Sequence, residues 1–155
     1  MCLAGGGATP EWGDISSAAW DLSGNSGTRP ATNYVGTSDA VELEIHVNSG
    51  DTSTTSGNNR VMLYDPQTNS PNLIGGYQGN LPGRGSAIEG GTIGGGGKNN
   101  GVNEVKDDYG TIGGGAGNIA GGLGTTSRTD DHYATVGGGL YNQARAAYSL
   151  SLIHI

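Results

Sequence analysis

The sequence predicts an all-β chain in which a short N-terminal β-hairpin region leads into a glycine-rich parallel β-roll. Three observations predict it. A phrase of one small residue, Thr, Ile or Val, three glycines and, two residues on, Asn recurs through the second half of the chain. Glycine supplies 32 of 155 residues, Phe is absent and only 14% of residues are charged, which leaves too little side chain for an ordinary globular core. Residues 41–47 (VELEIHV) alternate strictly between apolar and polar, the mark of a half-buried strand.

Residues 1–35 read as an irregular leader rich in Gly, Ser, Thr, Asn and Pro, with Trp12 and Trp20 as isolated anchors. Residues 36–71 read as the hairpin region. Its first strand is 41–47 and its second is 60–64 (RVMLY), stopped by Asp65-Pro66, with the polar segment 48–59 as the connection. A two-stranded hairpin is marginal alone, so it requires partners.

Residues 72–149 carry the repeats. Their copies are NLIGGYQGN (72–80), GTIGGGGKN (91–99), GTIGGGAGN (110–118) and ATVGGGLYN (134–142). Thr and Ile or Val favour extended backbone, and alternation sends Ile93, Ile112 and Val136 inward. The glycines permit a bend and close approach of coils, and Asn99, Asn118 and Asn142 suit a left-handed turn. Thr92 and Thr111 lie 19 residues apart, and Thr111 and Thr135 lie 24 apart. Repeat proteins place such surplus in loops, here assigned to 102–108 and 125–131. The approach to a further copy, 143–149, sets a basic period of 15 and puts its Thr position at 150. One coil buries about one aliphatic side chain, worth roughly 1.5–3 kcal/mol, which does not offset the entropy of ordering it. Stacked coils and neighbouring chains are the remedy.

The formal charge of −7, with only 7 Lys+Arg scattered along the chain, excludes a basic stripe for nucleic acid and disfavours anionic membrane surfaces. Cys2 is the single cysteine, so neither an intrachain disulfide nor a cysteine metal cage is available. No transmembrane segment and no signal peptide are visible.

Motifs that invite an enzyme fail on inspection. Gly94 to Lys98 lacks the upstream Gly and the following Ser or Thr of a phosphate loop. GAGNIA (115–120) lacks a following helix. Asp107, Asp108, Asp130 and Asp131 read as solvated loop carboxylates, because GGLGTT (121–126) lacks the Asp of a calcium roll. His46, His132 and His154 have no metal-ligand or nucleophile spacing around them, and His46 is expected on the solvent face of its strand. The reading therefore assigns no catalytic residue, cofactor or metal, and describes a chain that is not an enzyme.

The phrases YGTIGGGAGN (109–118) and YATVGGGLYN (133–142), the latter followed by QARAAYS, resemble the YadA-like head repeats of trimeric autotransporter adhesins. Similar repeats occur in haemagglutinin-like proteins and phage tail fibres. The segment from Gly36 to Tyr77 resembles the leader before such repeats in fibre proteins. The resemblance spans about residues 36–149. It implies a left-handed roll, a homotrimer with three chains side by side, and an extracellular, cell-surface or virion-fibre location. It also implies attachment to a surface glycan or protein ligand, or service as the scaffold of a secreted carbohydrate-active protein. Residues 149–155 (SLSLIHI) break the repeat and resemble a translated sequencing-adapter read-through. Residues 150–155 are accordingly expected to be non-native, with more coils following in the native chain.

Overall fold

The computed structural model describes residues 24, 26–29, 32–47, 60–83, 87–122 and 130–152. The anchors Trp12 and Trp20, the connection 48–59, most of the loop 125–131 and His154 lie outside them. The chain divides into two units, Met1–Gly36 and Thr37–Ile155. In the first, Arg29 closes a turn, its carbonyl accepting from the Asn33 N–H at 2.9 Å and its own N–H reaching Asn33 Oδ1 at 3.0 Å.

The second unit is all-β, with no helix among the described residues, and forms a β-solenoid of four coils. β1 (Leu43–His46) and β2 (Arg60–Asp65) form the expected antiparallel hairpin, and β2 also pairs antiparallel with β3 (Asn72–Gly75). From β3 onward every pairing is parallel. Each coil sends one strand to each of two sheets. The coils are β3 with β4 (Leu81–Pro82), β5 (Thr92–Ile93) with β6 (Glu104–Val105), β7 (Thr111–Ile112) with β8 (Ile119–Ala120), and β9 (Thr135–Val136) with β10 (Gln143–Ala144). The first sheet runs β1-β2-β3-β5-β7-β9-β11 and ends on β11 (Leu150–Ser151); the second runs β10-β8-β6-β4. Leu150 pairs with Thr135, so it takes the Thr position that the 15-residue period foresees.

The strands are two residues long in most coils because the chain must turn again at once. Alternation still decides what is buried. Thr92, Thr111 and Thr135 stand in register on the outer face, while Ile93, Ile112 and Val136 beside them are fully buried. With Leu63 and Ile74 they meet Val105, Ala120 and Ala144 from the opposite sheet in one cluster. The second sheet contributes the smaller side chains. An interior one side chain deep leaves room for a large residue from only one wall.

Two expectations are corrected. Residues 102–108 are not an outward polar loop: Asn103, Glu104 and Val105 are buried, and β6 lies among them. The surplus of the 19-residue coil is instead the turn at 98–101, where Lys98 and Gly101 exchange backbone hydrogen bonds of 3.1 and 3.0 Å. A four-residue hairpin turn can bulge from a coil without disturbing the stacked strands either side. Second, Asp107 and Asp108 are not solvated; they are 3% and 6% exposed. Each carboxylate is drawn inward by a backbone N–H of another segment. Asp108 Oδ1 accepts from Glu89 at 2.9 Å, and Asp107 Oδ2 accepts from Gly122 at 2.7 Å.

Candidate functional site

The most ordered constellation in the roll is a ladder of buried asparagines. Asn80 Oδ1 accepts from the Asn103 backbone N–H at 2.9 Å, Asn103 Oδ1 from Asn118 N–H at 3.0 Å, and Asn118 Oδ1 from Asn142 N–H at 2.9 Å. The side-chain amides donate in turn to carbonyls of the glycine bend. Asn80 reaches Gly75 O and Gly96 O, Asn103 reaches Gly95 O and Gly115 O, and Asn118 reaches Gly114 O and Gly139 O, all at 2.8–3.1 Å. One asparagine thus satisfies the bend of its own coil and that of the next. An unpaired buried carbonyl or N–H would cost about 1–3 kcal/mol, so the ladder is what permits a bend without side chains.

Asn118 and Asn142 are therefore buried rungs, and neither adopts the left-handed conformation expected of them. Asn99 is not a rung: it is exposed in the 98–101 turn, and Asn103 takes the place assigned to it. Asn99 falls at the right offset from Thr92 only because the four-residue turn interrupts the phrase. The sequence does hold the signal, since Asn103 precedes Asn118 by the basic period of 15. Ile93, Ile112 and Val136 occupy the interior, each 0% exposed.

Among the described residues, three of the five left-handed positions outside glycine form a column of tyrosines at the corner where each coil closes; Asn100 and Tyr141 are the other two. Tyr109, Tyr133 and Tyr148 share a φ of 59°, and Gly90 holds φ 65° at the matching corner of the first coil. The rings of Tyr109 and Tyr133, and of Tyr133 and Tyr148, stack with centroids 5.2 Å apart. His132 sets its edge against Tyr133 and Tyr148, and its Nε2 lies 3.2 Å from the Tyr148 hydroxyl. Exposure rises along the column, from 37% at Tyr109 to 72% at Tyr148.

Beside this corner the carboxylate oxygens of Asp107, Asp130 and Asp131 lie within 4.8 Å of one another. Burial, with Asp130 hydrogen-bonded alongside, raises the Asp107 carboxyl above its ordinary range, against the lowering effect of the Gly122 N–H. Three close carboxylates repel, and a proton or a hard cation relieves them. These are the residues that could hold a metal ion.

The histidines are not gathered into a site. His46 is exposed on β1, 2.7 Å from Glu44 Oε2, while His132 sits before β9, five strands away in the sheet order. The Glu44 carboxyl is held below its ordinary range, first by His46 and then by the Arg60 guanidinium. A shallow groove on the second sheet is bordered by the 98–101 turn and Tyr141, whose hydroxyl donates to the Asn100 carbonyl at 3.4 Å. None of the described helices or strands is an apolar helix long enough to cross a membrane.

Comparison with protein-family models, with curated proteins and with solved structures finds no match to this chain.

Proposed function

We propose that this chain is a non-catalytic attachment module, a β-roll that associates with two further copies in a surface-exposed fibre. The observation that carries the proposal is the outer face of the first sheet at its N-terminal end. Leu43 pairs with Tyr64, Ile45 with Met62, and Tyr64 with Leu73, so five apolar side chains share one outward face. Ile45 is 48% exposed and Tyr64 40%. Exposed patches of this kind mark interaction sites, and neighbouring copies would cover this one. The YadA-like phrases agree with three-fold association, and the polar turns leave the assembly an outward surface for a glycan or protein ligand. The location that follows is extracellular, on a cell surface or a virion fibre. A second reading makes the same roll the scaffold of a carbohydrate-active tail-fibre protein; the paired carboxyls of Asp107 and Asp130 are the feature that favours it.

Sedimentation of the full chain tests the proposal. A β-rich species of three chains that an Ile45→Lys, Tyr64→Lys double variant converts to folded monomer is the expected result. A parent chain that stays a folded monomer throughout the micromolar range overturns it.

A further inference from the structure

We propose that the groove on the second sheet binds an uncharged sugar, with the Tyr141 ring as its apolar platform and the 98–101 turn as its polar wall. The proposal rests on the attachment reading above, and names the ligand class and its place on the roll. What carries it is where backbone strain is stored. Of the five left-handed residues outside glycine among those described, three form the tyrosine column. The other two, Asn100 at φ 59° and Tyr141 at φ 56°, line this one groove. Strained positions of this kind gather at ligand sites, where the surrounding structure holds them.

Tyr141 stands where glycine would serve the fold. Ala116 pairs with Leu140, and Asn118 with Asn142, so Tyr141 matches Gly117, which is left-handed at φ 69°. The ring folds back over that glycine, where a Cβ would collide with it. Its hydroxyl donates to Asn100 O at 3.4 Å, across 41 residues of chain. The turn is pinned from the neighbouring coil as well, since the Gly117 N–H donates to Gly101 O at 2.9 Å. Of the four coils, only the second lengthens the segment between strand and rung. An inserted turn and a strained ring from separate coils thus wall one space of about 440 Å³, the size of a small-ligand cleft. All its walls belong to the second, third and fourth coils, so a coil stacked beyond β10 leaves them in place. The apolar face assigned to association lies on the first sheet and is separate from the groove.

The lining selects the ligand. Tyr141 supplies an apolar ring with a polar tip, and half-buried Ile119 continues the apolar floor. Asn99, Asn100 and Gln143 are exposed, and each amide presents donors and an acceptor in one plane. A pyranose has the matching pair of features, a face of C–H groups and a rim of hydroxyls that donate and accept. None of the described lining residues is Lys or Arg, and Glu104, the one carboxylate among them, lies 3.5 Å from Lys106 Nζ. Such a lining holds no charged partner for a sialylated, sulfated or phosphorylated group. Within the groove β6, β8 and β10 are already paired with one another, so no free edge there receives a peptide strand.

The full chain, isotopically labelled, is titrated with lactose, maltotriose and chitotriose, with sialyllactose as the charged counterpart and a Thr-Val octapeptide as the peptide control. The expected result is saturable shifts of the Asn99, Asn100 and Gln143 side-chain amides with at least one neutral sugar at millimolar concentration, and none with the peptide. Tyr141→Gly keeps the left-handed corner without its ring, and should stay folded while binding roughly tenfold more weakly. Asn99→Ala, in the exposed turn, should bind roughly fivefold more weakly. Absence of groove shifts with every neutral sugar, equal affinity of Tyr141→Gly and the parent, or tighter binding of sialyllactose than of lactose overturns the proposal. Groove shifts with the peptide alone assign the site to a protein ligand and overturn it too. Sugar shifts that map elsewhere on the roll overturn the groove but leave the attachment reading standing, which sedimentation decides separately.

Discussion

The backbone N–H of Asn142 donates to Asn118 Oδ1 at 2.9 Å across 24 residues of chain. That single bond joins two coils through a side chain. Asn118 also holds Gly114 O at 2.8 Å and Gly139 O at 2.9 Å. Asn118→Ala therefore leaves the Asn142 N–H and the Gly114 carbonyl unpaired in the interior, while Gly139 O keeps the Ala116 N–H. The expected loss is about 3 kcal/mol in a urea titration followed by circular dichroism. Asn99→Ala, in the exposed turn, should stay within about 0.5 kcal/mol of the parent.

The glycine bend offers a sharper contrast between neighbours. Gly115 has φ 83°, and a Cβ there would press on the Gly139 carbonyl, whereas Gly114 has open space around it. Gly115→Ala should cost about 3 kcal/mol or more, since the stacked coils cannot part without breaking the ladder. Gly114→Ala should be neutral, or stabilising by about 0.5 kcal/mol through a less flexible unfolded chain. Thermal denaturation of the two variants side by side decides it.

Tyr133 combines a stacking role with a backbone that glycine adopts more easily, as Gly90 does in the first coil. Tyr133→Ala loses the ring contacts with Tyr109, His132 and Tyr148 and keeps the left-handed strain. Tyr133→Gly loses the contacts and sheds the strain. The Gly variant should be the more stable of the two by about 1 kcal/mol, measured by denaturant midpoint.

Asp107 supplies a pH dependence with a definite sign. Burial raises its folded-state carboxyl above the ordinary value of 3.8, so the fold favours the protonated form. Its stabilising contribution is complete below 3.8 and is lost as pH rises through the folded value. Asp107→Asn is neutral at every pH and can still accept from the Gly122 N–H. The variant should unfold at higher urea than the parent at neutral pH and lose that advantage in acid. A variant less stable than the parent at neutral pH would show that charge on Asp107 supports the fold.

Much of this architecture is written in local pattern. The recurring Thr-Ile-Gly-Gly-Gly phrase carries a strand, its inward residue and its bend, so Ile93, Ile112, Val136 and the 15-residue period were readable directly. The alternation of 41–47 likewise marks β1 and its antiparallel partner. These features depend on residues adjacent in the chain, where backbone preference and side-chain direction act.

Pairing across coils was decided only by the tertiary structure. Asn99 and Asn103 both fit a rung in the linear text, and the choice falls to Asn103 because its backbone N–H meets Asn80 Oδ1 while its side-chain amide meets Gly115 O. Asp107 and Asp108 look like surface charge until the stacking brings Gly122 and Glu89 against them. The tyrosine corners turn left-handed as Gly90 does at the matching corner without a ring, so the closing of each coil sets the backbone there and the rings stack upon it. The sequence by itself determined that the chain coils and with what period. Which side chains join the coils depended on contacts 15 to 24 residues apart, which no local propensity encodes.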